Sequence, residues 1–261
     1  MKRNLTMVLG SLLFAGMTSA QQWVETTAQN KKVVLEEFTG VQCTWCPAGH
    51  LLGKQMKEAN PDDVILINIH EGSFAVPHTN GGIDLRTTDG SAIGTAASSR
   101  TVGWPSGSVN RASSPWAKSR TTWEASGNTV RSQASPVNVY TKSFFNRDSS
   151  KLTTEVEVYY TDDPGASSHK LSVMLLENNI LGPQTGASKN PDNIVGDLYK
   201  HNHVFRQMIS PGGAFGETIS SPVKGTYVYK KYETQIPSSL KGVPVTFFNL
   251  EVVAFVSEGN N

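Results

Sequence analysis

The pattern that most restricts this chain lies in residues 31 to 70, where "KKVVLEEF", "PAGHLLGKQMKEAN" and "DDVILINIH" follow one another. The outer two are short apolar runs that read as strands, and the middle one carries helical periodicity. Strands joined through a helix pair parallel with a right-handed crossover, so this stretch predicts the start of an α/β unit. Pro47 suits the first helical turn, where its missing N–H would have no partner. Leu51, Leu52, Met56 and Ala59 then share the face expected to meet the sheet.

The texture changes near residue 135. Beyond it, "VNVYTKSFF", "KLTTEVEVYYT", "KLSVMLLENNI", "HNHVFRQMI", "TYVYKKYETQ" and "FFNLEVVAFVS" alternate apolar and polar residues between turn clusters such as "DDPGASS" and "SPGGAFG". Consecutive strands without intervening helices predict an antiparallel sandwich. Before the change, Glu71 to Val102 reads as a partly helical insertion, helical around "DGSAIGTAASSR". "SGSVNR" reads as a short strand, and "SPWAKSRTTWEASGNTVRSQ" as a helix capped by Ser114 with Pro115 at its first position. The expected division is a signal peptide over 1–20, an α/β domain over 21–134 and an all-β domain over 135–261.

The leader "MKRNLTMVLGSLLFAGMTSA" places Lys2 and Arg3 before a short apolar run and ends in small residues, the pattern of a secretory signal. The run is shorter than the roughly 20 residues a membrane helix needs. Gln21 and Gln22 stand where a lipoprotein would carry cysteine, which disfavours a lipid anchor. The chain has 23 basic and 22 acidic residues, and losing Lys2 and Arg3 leaves about one net negative charge. With no basic stripe to neutralise phosphates, nucleic acid is excluded as a partner.

Cys43 and Cys46, in "EEFTGVQCTWCPAGH", are the only cysteines. A zinc site normally takes four ligands, and no second cysteine pair exists; His50, His70 and His78 could complete a mixed site. Haem attachment requires histidine directly after the second cysteine, where Pro47 stands. As a structural staple, a disulfide across two residues closes too short a loop to remove much chain entropy. Redox chemistry gives the spacing a reason: a thiolate at a helix N-terminus is stabilised by free N–H groups, and a thiol one turn later can reach it. Cys43 is then the exposed nucleophile and Cys46 the buried resolving thiol.

The segment "VVLEEFTGVQCTWCP" resembles the active-site segment of the thioredoxin superfamily. That resemblance implies that Glu37, six residues before Cys43, is a buried acid that takes the proton of Cys46; otherwise Glu36 or Glu37 ends a solvated strand edge. It also implies a cis-proline beside the cysteines. Trp104–Pro105 in "VGWPSGSVNR" fits better than Pro77, which lacks a following strand, and Trp104 would present backbone to a substrate chain. Gln42 replaces the tryptophan usual before the first cysteine, and Thr44–Trp45 is an unusual inner dipeptide. Trp45 is expected to face substrate or to pack on the second domain.

Together with the export signal, "GWPSGSVNR", "LSVMLLENNI" and "HNHVFRQM" resemble the 28-kilodalton outer-membrane protein family of Bacteroidetes. The resemblance implies a thioredoxin-like domain followed by an immunoglobulin-like sandwich, located in the periplasm or at the outer membrane and cell surface. Relative to that pattern the chain stops early after "LEVVAFVS", so a final strand is expected to be missing and one sheet edge exposed. His201 and His203 are expected to share one face of a strand, either as possible metal ligands or as ordinary polar positions. No GxSxG or phosphate-binding glycine loop occurs.

Two functions follow. One is an exported thiol–disulfide oxidoreductase with Cys43, Cys46 and Glu37 as catalytic residues and Trp45, Trp104 and Pro105 against substrate. It uses no dissociable cofactor or metal, and its partners are client proteins with disulfides or thiols and an external thiol redox partner, with peripheral association with the outer membrane. The other is a surface binding or adhesion module on a non-catalytic thioredoxin-like scaffold.

Overall fold

The computed structural model describes residues 22–258. The signal-peptide assignment over residues 1–20 lies outside the described residues. No described helix is long and apolar enough to cross a membrane.

The first elements are β1 (Val33–Thr39), α1 (Cys46–Ala59) and β2 (Val64–His70), with β1 and β2 parallel and in register from Val33–Val64 to Thr39–His70. This is the βαβ unit the sequence predicts. The helix uses a different face from the expected one: Cys46, Gly49, Gly53 and Met56 are buried, whereas Leu51 and Leu52 are half-buried and Ala59 is exposed. Small residues at Gly49 and Gly53 let the helix backbone close on the sheet. A Cβ at Gly53 would already touch Leu35 and Leu66 at 3.6 and 3.5 Å.

The insertion forms α2 (Thr88–Ala97) and a helical turn at Ser99–Val102. Thr87 caps α2, its hydroxyl accepting the Gly90 N–H at 2.9 Å. Next come β3 (Ser106–Val109), a short strand at Lys118–Ser119, and α3 (Trp123–Arg131). The helix expected from Pro115 therefore starts at Trp123 instead. Residues 116 and 117 stay outside any helix because Trp116 and Ala117 bury in the core and the Ala117 N–H donates to the Ala97 carbonyl at 3.0 Å.

The second half contributes β4 (Val137–Asn146), β5 (Lys151–Tyr160), β6 (Ser168–Glu177), β7 (Ile180–Gly182), β8 (Leu198–His201), β9 (Val204–Met208), β10 (Glu217–Ser220), β11 (Tyr227–Gln235) and β12 (Leu250–Glu258). Five of the six expected strands form nearly as read. "HNHVFRQMI" does not: β8 ends at His201, His203 takes a positive φ of 51°, and β9 starts at Val204. His201 and His203 consequently share no strand face.

An eight-stranded sheet runs from β12 through β6, whose other side pairs with both β10 and β9, then through β2, β1 and β3 to Lys118–Ser119. The bond between the halves is parallel, Val204 of β9 beside Asn68 of β2. Strands β4, β5 and β11 form a separate antiparallel sheet. It faces β6 and β12 across a core that includes Leu152, Val156, Val158, Leu171, Val173 and Leu175. A second core joins Phe38, Ile67 and Ile69 to Ile93 of α2 and to Met174, Leu176 and Phe205 of the second half. A third, on the opposite face, packs Leu35 and Leu66 against Met56 and Trp123. The protein is thus mixed α/β, with one sheet and one core continuous across residue 135.

Candidate functional site

Strand alternation sends Glu36 and Glu37 to opposite faces of β1. Glu36, 1% exposed, accepts two hydrogen bonds from Arg111, at 2.8 Å from Nε and 2.6 Å from Nη2. The Arg111 guanidinium lies over the rings of Trp116, Phe215 and Phe255 at 5.2 to 5.8 Å. Glu36 is a structural ion pair. Glu37, 2% exposed, turns toward α1, and neither acid ends a solvated edge.

The Glu37 carboxyl lies under the first turns of α1. A Cβ on Gly49 would run into its Oε1 and would stand 3.0 Å from Pro105 Cβ, so acid, helix and proline converge at Gly49. Oε1 has no hydrogen-bond partner among the described residues. Burial pushes the Glu37 pKa well above the usual carboxylate value, opposed by the Arg120 charge. Burial therefore favours the protonated form of a carboxyl that lies against the helix starting at Cys46.

Cys43 and Cys46 form a disulfide, with Cα atoms 5.4 Å apart. Helix α1 starts at Cys46, not just after Cys43, with Trp45 as its N-terminal flanking residue. Cys43 sits in the preceding turn, where its N–H donates to the Gly40 carbonyl and its carbonyl accepts the Cys46 N–H. Nor is Cys43 exposed: it is 3% accessible, and Cys46 is fully buried. The cover is a strap from the second half. Gln184 donates its side-chain amide to the Gly40 and Cys43 carbonyls at 3.2 and 3.1 Å, and the Thr185 N–H donates to the Val41 carbonyl at 2.8 Å. Gly186, at φ 73°, packs on the Thr44 carbonyl so closely that a Cβ would collide with it.

Trp45 is 54% exposed and stands between two cations, Lys189 Nζ at 4.2 Å and Arg120 Cζ at 5.4 Å from the ring centroid. Lys189 comes from the strap, so Trp45 both meets solvent and touches the second half. Gln42, in place of the usual tryptophan, ties down the neighbouring loop: its N–H donates to the Phe74 carbonyl and its side chain to the Val76 carbonyl, each at 2.8 Å.

The Trp104–Pro105 bond is cis, as expected; Ser114–Pro115 is cis as well. Trp104 is held by its indole N–H, which donates to Glu71 Oε1 at 2.7 Å, and by Phe74 at a ring separation of 5.5 Å. Ser99 donates to the same Glu71 oxygen at 2.7 Å. Gly72, at φ 71°, is required here because a Cβ would enter the Trp104 ring.

Several further polar residues converge with these, among them His50, His70 and His201, which the sequence offered only as metal-ligand candidates. His50 Nε2 is 2.9 Å from Thr39 Oγ1 and 3.7 Å from Glu37 Oε1, and its Nδ1 is 2.9 Å from the Tyr199 hydroxyl. Asn190 and Asn193 donate to that hydroxyl at 3.0 and 3.4 Å. His201 lies against Tyr199 and His70, at ring separations of 5.1 and 5.5 Å. Burial holds His50 near a pKa of about 3 and His201 near about 4, and pushes His70 well below the ordinary value. His78 lies apart, with Nε2 3.1 Å from the Val41 carbonyl. His203 pairs with Glu251 at 3.0 Å. The spacing Cys46 to His50 puts both on one side of α1 and was a usable signal; Gln184 and Tyr199 join from 141 to 149 residues away and had none.

Residues 96–261 match the family model described as outer membrane protein Omp28. Among solved structures, HBP35 of Porphyromonas gingivalis superposes with a TM-score of 0.64 at 22% identity, covering 88% of this chain and 70% of that one. A structural-genomics protein from Agrobacterium tumefaciens superposes at 0.51 with 12% identity, covering 86% and 95%. At these identities the likeness concerns fold. No curated protein matches the chain.

Proposed function

The chain belongs to the Omp28 outer-membrane protein family, and within it we propose that this member is a thiol–disulfide oxidoreductase of the cell envelope. Family membership makes it an exported protein of the outer membrane or cell surface. We read its first half as a thioredoxin-like domain, residues 21–134, and its second as an immunoglobulin-like sandwich, residues 135–261, sharing one sheet.

The observation that carries the reading is the buried Glu37 carboxyl, whose Oε1 has no hydrogen-bond partner among the described residues, meeting Pro105 at Gly49 of the helix that begins with the disulfide-bonded Cys46. A buried acid without a structural partner is costly, and such groups cluster where proton transfer is needed. From the oxidised state, a client thiolate attacks Cys43 Sγ and Cys46 leaves as a thiolate, which Glu37 protonates. A second client thiolate attacks the mixed disulfide and releases Cys43, leaving the client oxidised and the pair reduced. Run backward, the same steps reduce a client disulfide. With no other cysteine in the chain, the pair is reset by an external thiol partner. Trp45, Trp104 and Pro105 form the face on which a client segment lies.

The strap over Cys43 favours a second reading, a surface binding module with an inert disulfide. Alkylation of the reduced protein as a function of pH separates the two. The oxidoreductase gives a Cys43 pKa below the free-thiol value of about 8.5, and a value at or above it favours the binding module.

A further inference from the structure

We infer that His50, locked by Tyr199 into its Nε2–H tautomer, is the positioning residue that stabilises the Glu37 carboxylate when that acid gives up its proton. This rests on the reading of Glu37 as the proton carrier.

The contacts favour one tautomer. Asn190 and Asn193 donate to the Tyr199 oxygen, so the Tyr199 hydrogen is free to point at His50 Nδ1, 2.9 Å away. Nδ1 then accepts, and the ring hydrogen must sit on Nε2. That nitrogen faces two oxygens, Thr39 Oγ1 at 2.9 Å and Glu37 Oε1 at 3.7 Å. While Glu37 is neutral, Thr39 holds the N–H. Once Glu37 is ionised, its Oε1 offers a charged acceptor less than 1 Å beyond hydrogen-bond reach, and no other described group donates to it.

The ring stays a donor and does not itself take the proton. Burial, with smaller contributions from His201 and His203, lowers the His50 pKa to about 3. His70 lies beyond His201, and Glu37 itself faces Arg120 as well as His50 and Tyr199. The strap supplies Asn190 and Asn193, so the same segment that covers Cys43 also sets the His50 tautomer.

The test is a carboxyl-carbon NMR titration of Glu37 in the oxidised full chain, where neither cysteine titrates, with Glu37→Gln assigning the signal. His50→Leu removes the donor and is expected to raise the Glu37 pKa by about one unit, a tenfold change in its ionisation equilibrium. His50→Gln keeps an N–H and is expected to stay near wild type. Tyr199→Phe removes one oxygen, lets the other tautomer form, and is expected to fall between. If His50→Leu does not fold, Tyr199→Phe decides. An unchanged Glu37 pKa in His50→Leu, or in Tyr199→Phe when that variant decides, overturns the inference. Exchange with a disulfide peptide, measured alongside, separates the two levels: wild type without exchange sinks the oxidoreductase reading, while the titration still decides the role of His50.

Discussion

Gln184 and Cys43 are joined by a 3.1 Å hydrogen bond from the Gln184 side-chain amide to the Cys43 carbonyl, across 141 residues of sequence. Through this contact the β-rich half seals the disulfide that the α/β half carries. Access to the cysteines is therefore a property of the strap as well as of the helix.

Removing that contact should open the site. One neutral hydrogen bond contributes about 0.5–1.5 kcal/mol, so Gln184→Ala is expected to speed reduction of the disulfide by a small thiol by roughly 2- to 12-fold. Gly186→Val, which places a side chain against the Thr44 carbonyl at a left-handed φ, should act in the same direction. Stopped-flow reduction followed by Trp fluorescence measures both, and unchanged rates would mean that the strap does not limit access.

Glu37 makes a signed prediction for stability against pH. Its folded pKa is raised by burial, so above the unfolded value the folded state holds a proton that the unfolded state has released. Stability then falls by about 1.4 kcal/mol per pH unit as pH rises from the unfolded to the folded pKa. Glu37→Gln is expected to abolish this slope and to gain stability at neutral and alkaline pH, with little gain below pH 4. Urea unfolding across the pH range checks it.

The buried histidines predict the opposite slope on the acid side. His50 and His201 have folded values of about 3 and 4 against 6.5, and His70 is also lowered. Below pH 6.5 the unfolded chain binds protons that the folded chain refuses. As pH falls from 6 to 4 stability should drop by up to about 4 kcal/mol per unit for these three groups, with buried His169, also lowered by desolvation, adding in the same direction. His201→Gln should reduce that slope by about a third in a pH series of urea unfolding curves.

Glu71 anchors the proline loop. Glu71→Ala leaves the indole N–H of Trp104 without its acceptor, whereas the Ser99 hydroxyl keeps the Gly94 carbonyl at 3.0 Å, and a lost bond to a charged group costs about 1.5–3 kcal/mol. A loss of roughly 1.5–3 kcal/mol in urea unfolding is expected for that one bond, with Glu71→Gln recovering part of it.

Local pattern made the βαβ unit and most of the later strands legible, because strand alternation and apolar runs report burial directly. Reading the helix as starting just after Cys43 put α1 two residues early, because the turn through Cys43, Thr44 and Trp45 is held by backbone bonds to Gly40 and by the strap, neither of which leaves a periodicity. Ser114 and Pro115 imitate a helix start, but burial of Trp116 overrides it. The separation of His201 from His203 depends on a left-handed residue at 203, which no hydrophobic pattern encodes. Of the site, Cys43 and Cys46 were candidates from their spacing, and Glu37 and the Trp104–Pro105 bond followed only from the thioredoxin resemblance, whereas the cover over Cys43 and the Tyr199–His50 pair join residues more than 140 positions apart.

Trapping in the cell envelope tests the oxidoreductase most directly. With Cys46→Ser the resolving thiol is gone, so a mixed disulfide formed at Cys43 cannot be released internally. Thiol-sensitive adducts with client proteins, absent from the Cys43→Ser, Cys46→Ser double variant, are the predicted result. A folded Cys46→Ser protein that reaches the envelope with its Cys43 thiol free and unadducted would contradict the account.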